Sequence, residues 1–387
     1  MLAAIVGGRL QGVEVACLAR NAGWRTLLVD QKTNTPARRL CDLYRQLDAS
    51  QPLALDDAFK AVDIVIPALE SQAALESLVS WGRRRKVPVA FDPDAYALTS
   101  SKIDSDGLFA SLGIPAPEPW PGCGYPVVAK PSGASGSKGV AILKNESEAR
   151  KRFPRGFPKN GWVFQQYLHG PSFSLEVVGS PGNYTPLQVT ELFMDDVYDC
   201  KAVAAPTRLL PAQIHEMERL SVGIAEAIRL KGLMDVEVVL HEGCFKVLEI
   251  DARFPSQTPL AVYASTGCNM VECIARLFID KKPLTPFPAA AQRGARLEHI
   301  RVTPREIIIE GEHIMADAGR LDRVNGFFGA DEAITNYLDA ATDWVATLIV
   351  TGDTRRIAER KRNQVLAAIK SQLHLERIDD RKPERVG

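Results

Sequence analysis

"DVEVVLHEGCFKVLEIDAR", residues 235–253, carries the decisive pattern of this chain. Asp235 and Glu237 stand two apart, and so do Glu249 and Asp251. Successive side chains of a strand turn to opposite faces, so each acidic pair shares one face. The apolar residues between them, broken by "HEGC", predict an antiparallel hairpin within 232–255. With Glu242, Gly243 and Cys244 as a three-residue loop, Asp235 opposes Asp251 and Glu237 opposes Glu249. Like charges opposed across strands are unfavourable, so the patch calls for a divalent cation. Oxygen-only ligation favours Mg²⁺ on Asp235, Glu237, Glu249 and Asp251. The alternative is a solvated polar face, and the interleaved valines and Phe245 argue against it. Arg253, two past Asp251, would face the same patch and clamp a phosphate or a substrate carboxylate.

Upstream lies "AKPSGASGSKGVAIL", residues 129–143. An apolar run closes on Lys130, a glycine- and serine-rich loop follows, and a second apolar run begins at once. No GxxxxGK[ST] frame fits, so this is not a Walker A loop. Short strands around such a loop predict a flap. Gly133 and Gly136 let backbone N–H groups approach an anion, and Ser132, Ser135 and Ser137 add hydroxyl donors. Lys130 would supply a fixed positive charge to phosphate oxygens. The alternative is an exposed hairpin loop. A phosphate flap beside a Mg²⁺ hairpin points to a nucleoside triphosphate.

The N-terminal stretch alternates strands and helices: "LAAIV" (2–6), a helix over 12–22, "RTLLVD" (25–30), "VDIVIPALE" (62–70), a helix capped by Ser71, and "VPVAF" (87–91). That alternation predicts a doubly wound parallel sheet. The turn "GGRLQG" (7–12) with Asp30 closing the next strand approaches a dinucleotide fingerprint but lacks GxGxxG. Ligands sit at the carboxyl ends of such strands, which offers Arg9, Leu10, Gln11 and Asp30 for contact; an ordinary glycine turn is the alternative. From residue 125 onward the pattern turns to hairpins, with strands at 162–168 and 172–179 and a helix at 212–230. Three domains are expected: 1–95, 96–178 and 179–387.

Lys plus Arg and Asp plus Glu number 47 each, which argues against general nucleic-acid binding. The basic runs 83–86 and 355–362 read as solvated helix faces. Seven cysteines form no CxxC pair, so neither a zinc ribbon nor a redox motif is supported, and a reducing cytoplasm is the simplest setting. Cys200 reads as a buried passive thiol. No membrane-spanning run or signal peptide is expected. The tail around "DDRKPERVG" reads as disordered.

The order of these features resembles the ATP-grasp ligases, in which two antiparallel-sheet subdomains hold ATP between them. The resemblance implies roles by position. Lys102, before a helix ending in "LGIPAP", and Lys130 would bind phosphates. "VFQQYLHG" would run beside the adenine, with Gln166 and Leu168 contacting the nucleotide. Ser172 stands where the family commonly has a ribose-binding acid, so Glu176 or a backbone group would substitute. "LEIDAR" (248–253) matches the family's Glu-x-Asn/Asp-x-Arg run with Asp251 in place of the usual Asn. "VGGRLQG", "YDCK" (198–201) and "EIDARFPSQTP" (249–259) resemble the pyrrolysine-biosynthesis branch of the family. That branch joins the carboxylate of (3R)-3-methyl-D-ornithine to the N6 amine of L-lysine. It implies ATP and Mg²⁺ as cofactors. Leu10, Gln11 and Glu70 would hold the lysine, with Glu70 a candidate base. Asp199 and Lys201 would reach ornithine or phosphates, and Ser256 and Gln257 would lie near the reacting centre. Related ligases often dimerise, though no interface is legible. Other readings are a D-alanine–D-alanine-type or purine-pathway ligase, a catalytically silent nucleotide-binding regulator, and a dehydrogenase. The intact set of lysines, acids and Arg253 argues against the regulator, and the missing GxGxxG against the dehydrogenase.

Overall fold

The computed structural model describes residues 1–383 apart from 159, 283, 285–291 and 339–341. The N-terminal unit holds β1 (Leu2–Val6), α1 (Leu10–Asn21), β2 (Arg25–Asp30), β3 (Leu43–Gln46), α2 (Pro52–Ala58), β4 (Ile64–Pro67) and α3 (Gln72–Arg85). Its four strands run parallel in the order β3-β2-β1-β4, as the alternating pattern requires. The stretch 87–91 is not a full strand: only Val89 bridges to Val65. Ser71 stands at the start of α3 without a side-chain cap bond. The glycine spacing of the first turn has a steric cause. A Cβ on Gly12 would meet the Gly7 carbonyl oxygen at 2.1 Å, and one on Gly7, at φ +104°, would meet that of Ala68 at 2.3 Å.

Two short helices, α4 (Pro93–Thr99) and α5 (Lys102–Leu112), lead into a three-stranded antiparallel sheet. It comprises β5 (Val127–Pro131), β6 (Ala141–Leu143), α6 (Glu146–Arg152) on its flank and β7 (Trp162–Gln166), in the order β6-β5-β7. The large sheet has twelve strands. It begins with β8 (Ser172–Ser180), β9 (Asn183–Pro186), β10 (Thr190–Met194) and β11 (Cys200–Ala205). After α7 (Pro211–Ala227) come β12 (Gly232–His241), β13 (Cys244–Asp251), α8 (Thr258–Thr266) and α9 (Met270–Ala275). The last third adds β14 (Gly294–Val302), β15 (Glu306–Ile309), α10 (His313–Ala316), β16 (Asp322–Asn325), β17 (Glu332–Thr335), β18 (Trp344–Gly352), α11 (Arg355–Gln372) and β19 (Arg377–Asp380).

This is a mixed α/β architecture, a parallel N-terminal sheet followed by antiparallel-sheet units, as expected. Three expectations are corrected. A boundary at 178 would cut β8, which pairs along its length with β12, so Ser172–Ser180 belongs to the large sheet. The tail is ordered as far as β19, which pairs in parallel with β15; residues 384–387 lie outside the described residues. The run 355–362 is not simply solvated, because Arg355 pairs with Glu191 at 2.5 Å and Arg362 with the buried Glu298 at 2.5 Å.

One apolar cluster joins the N-terminal unit to the large sheet, with Val15 and Leu18 of α1 against Leu260, Val262 and Val271. Polar groups lock the same seam. Glu14 accepts the Leu260 N–H at 2.9 Å, and the Asn269 amide donates to the Leu18 carbonyl at 2.9 Å. Among the described residues no helix is long and apolar enough to cross a membrane.

Candidate active site

β12 and β13 set Asp235 opposite Asp251 and Glu237 opposite Glu249, the expected pairing reached by another route. The turn has two residues, not three: His241 pairs with Cys244, and Glu242 and Gly243 take φ of 50° and 83°. Such turns match strand twist. A bulge at Leu248 restores the acid register, since Val238 faces Val247 while Glu237 faces Glu249. The bulge also places the Leu248 carbonyl where the Lys130 ammonium donates to it at 3.2 Å.

Burial pushes the Asp235 carboxyl well above the ordinary range, and Asp251 and Glu237 add to the push. Burial, then Glu249, lifts Glu237 to about 7. Burial lifts Asp251 to about 7 against the pull of Arg253. Asp235 Oδ1 and Asp251 Oδ1 are buried without a hydrogen-bond partner. An all-oxygen set with orphaned buried carboxylate atoms fits a hard divalent cation such as Mg²⁺. Asp235, Glu237, Glu249 and Asp251 would hold it.

The cations stand around these acids. Lys102, at the first turn of α5, donates to Glu249 Oε1 at 2.7 Å and to the Ala134 carbonyl at 2.7 Å. Burial lowers the pKa of Lys130, with Glu249 and Asp106 opposing the effect. Arg253 bridges Asp251 at 2.8 Å and Glu70 at 3.1 Å. Burial works against its charge, but Asp251, Glu70 and Asp235 outweigh it and raise its pKa.

Three cavities run in series through this centre. The first, about 770 Å³, lies between the three-stranded sheet and the large sheet and is lined by Val128, Lys130, Ile142, Gln166, Leu168 and Leu248 among others. Apolar walls and a polar hinge segment suit a nucleotide base. Ser172 lines it. Glu176 does not: it is fully buried, opposite Asp235 on β8, where Ser174 donates to it at 3.5 Å. Burial pushes it up to about 7. A small chamber of about 140 Å³ comes next, lined by all four acids and by Arg253, Ser256 and Gln257. The third cavity, about 530 Å³, opens against the N-terminal sheet and is lined by Arg9, Leu10, Gln11, Asp30, Glu70, Asp199, Arg253 and Ser256. The chamber shares Ser137, Glu237 and Glu249 with the first cavity, and Ser135, Arg253 and Glu312 with the third.

The flap lies over this junction. Ser135 donates to Glu70 Oε2 at 2.7 Å, and Ser137 to the Tyr198 carbonyl at 2.6 Å. Gly136 lines both the chamber and the third cavity. Ser132 and Gly133 line none of the three cavities; the Ser132 hydroxyl accepts the Ile103 N–H at 3.1 Å and so ties the flap to α5. Asp30 is likewise committed to shape, accepting the Gly8 and Lys32 N–H groups at 2.7 and 2.8 Å. Lys201 reaches the first cavity, but its ammonium is held by Asp380 at 2.6 Å and by the Arg381 carbonyl. Cys200 is raised far up by burial, in keeping with a passive thiol. Asp195, Asp199 and His313 also cluster. There Asp195 takes the N–H groups of Val197, Asp199 and Gly311, and Asp199 binds His313 Nδ1 at 2.7 Å. That arrangement staples two loops together. Sequence reasoning missed Glu312 and the Leu248 carbonyl. Neither has a motif, since a bulge and a tertiary crossing put them in place.

A glycine flap with its lysine, a hinge strand and an acidic hairpin around one cleft define the ATP-grasp class. Residues 99–257 match the ATP-grasp domain. The 3-methyl-D-ornithine–L-lysine ligase of Methanosarcina mazei is 32% identical over 372 residues, covering 95% of this chain and 95% of that protein. The ligase of the same name from Methanosarcina acetivorans is 32% identical over 378 residues, covering 95% of this chain and 97% of that protein. The fold also resembles the biotin carboxylase of Campylobacter jejuni, with a TM-score of 0.71 at 15% identity, covering 95% of this chain and 91% of that one. The chain belongs to the ATP-grasp family, whose fold is typical of ATP-dependent ligases.

Proposed function

We propose that this protein is an ATP-dependent carboxylate–amine ligase that activates (3R)-3-methyl-D-ornithine and joins it to the N6 amine of L-lysine. The observation that carries the reading is the series of cavities: a nucleotide-sized one, a chamber walled by acids and Arg253, and one against the N-terminal sheet that Arg9, Glu70 and Asp317 help to line. Similarity to the Methanosarcina ligases over nearly the whole chain supports the choice of substrates.

A carboxylate is a poor electrophile, and phosphoryl transfer from ATP converts it to an acyl phosphate with a good leaving group. Lys102 and Lys130 offer charge to the phosphates from fixed positions on α5 and β5. Arg253 would orient the substrate carboxylate at the chamber wall. Bound Mg²⁺ would supply charge neutralisation at the transferring phosphoryl group. The flap, latched to Glu70 and Tyr198, shields the chamber from water. Leu10, Gln11 and Glu70 line the cavity that would take lysine, and Glu70 already accepts from the Gln11 amide at 3.3 Å. Site roles for Lys201, Gln166, Leu168 and Asp199 belong to the same proposal.

The test is ADP release with Mg²⁺-ATP, L-lysine and 3-methyl-D-ornithine, with mass spectrometry of the products. ADP release that requires both amino acids, with a product weighing their sum less one water, supports the reading. ADP release that needs neither, or another substrate pair, rejects these substrates. Lys130→Ala should lower turnover at least about a hundredfold with the melting temperature close to wild type; normal turnover in that variant would remove the phosphate role.

A further inference from the structure

On the ligase reading, on which this inference rests, we propose that Glu312 is the group that takes the proton from the attacking amine. Glu312 precedes α10 and lines both the third cavity and the acidic chamber. It therefore stands where an amine arriving from one side would meet an acyl carbon on the other. Among the described residues one other acid lines both spaces, Asp199, and its carboxylate is held by the His313 N–H at 2.9 Å and by the His313 ring. Glu70 is shared among Arg253, Ser135 and Gln11. Glu312 instead has neutral partners, the Ser256 hydroxyl at 3.0 Å and the Gln257 side chain. Its backbone N–H donates to the Cys200 carbonyl at 3.1 Å, which fixes the start of α10 beside the chamber.

The charged groups around it are Asp199, Glu237 and Glu14, which oppose its ionisation, and Arg253, which favours it. Burial, then Asp199, lifts its carboxyl to about 7, a suitable range for proton exchange near neutral pH. The lysine side-chain ammonium gives one proton to the Glu312 carboxylate. The freed nitrogen lone pair forms the C–N bond. The C–O bond to phosphate breaks, its electron pair leaves with phosphate, and phosphate accepts the second nitrogen proton.

Hydroxylamine separates the two halves of the reaction, because it is unprotonated at neutral pH and traps the acyl phosphate as a hydroxamate without a base. In Glu312→Gln the amide rate should fall at least about a hundredfold, while hydroxamate formation falls far less. The residual amide rate should climb with pH toward the ~10.4 pKa of free lysine, unlike that of the wild type. Ser256→Ala should move the hydroxamate-to-amide ratio the same way by a smaller factor. Equal loss of both products, or an unchanged pH profile, overturns the role of Glu312. Absence of hydroxamate from the wild-type enzyme overturns the ligase reading itself, and this role with it.

Discussion

Glu14 sits in the apolar seam between α1 and α8, where its carboxyl accepts the Leu260 N–H at 2.9 Å. Burial lifts that carboxyl from an ordinary 4.5 to about 8. Below pH 4.5 folded and unfolded chains both hold the proton. Between about 4.5 and about 8 the unfolded chain has released it and the folded chain has not, so stability falls as pH rises through that window. Glu14→Gln keeps an acceptor for Leu260 without a charge. The melting temperature of the wild type should drop from pH 5 to pH 8, and that of the variant should drop less. By pH 8 the variant should lead by more than about 1 kcal/mol, since a tenfold difference in proton affinity between the folded and unfolded chain is worth ~1.4 kcal/mol. Parallel curves would mean that Glu14 meets water in the folded protein. Residues of this kind mark the limit of sequence reading. Lys130 and the four acids were legible because strand periodicity alone gives their faces. Glu14 and Glu312 were not, because burial depends on which elements pack together.

The flap and the hairpin show the same division among elements. Glycine content marked the loop after β5, but its latches, Ser135 to Glu70 and Ser137 to the Tyr198 carbonyl, join residues 65 and 61 positions apart. The acid register was predicted correctly from a turn one residue too long, because the Leu248 bulge compensates for the shorter turn. On the ligase reading, both latches hold the flap over a chamber that must exclude water. Replacing Ser135 and Ser137 together with alanine removes both bonds while leaving the backbone of the loop free to adopt its turns. Each hydrogen bond contributes about 1 kcal/mol, so the ratio of closed to open flap should fall roughly tenfold or more. The expected result is uncoupling: more ADP released per amide formed, with the nucleotide still bound. A 1:1 ratio of ADP to amide in the double variant would show that the latches do not govern water access.

At the scale of the molecule, three sheets converge on one cluster of carboxylates, with Asp235 and Asp251 buried at its centre. The N-terminal sheet brings Glu70, the small sheet Lys130, and the large sheet Asp235, Glu237, Glu249 and Asp251. The parallel sheet and the hairpins were each visible in local pattern. Their convergence was not, because nothing local says that Arg253 will bridge Asp251 to Glu70. This convergence makes the whole fold sensitive to the charge state of its centre. Without a cation, burial raises Glu237 and Asp251 to about 7, so the folded state holds protons that the unfolded chain has released. Stability is then lost as pH rises from about 4 to about 7. A divalent cation must displace those protons at low pH but meets ionised carboxylates at high pH. Mg²⁺ with a non-hydrolysable ATP analogue should therefore raise the melting temperature more at pH 8 than at pH 5.5. Asp251→Asn, which removes one of the hairpin's titrating acids, should shrink that difference. An equal Mg²⁺-dependent shift at both pH values would mean that the cation binds elsewhere, and that the acidic hairpin owes its stability to its own protons.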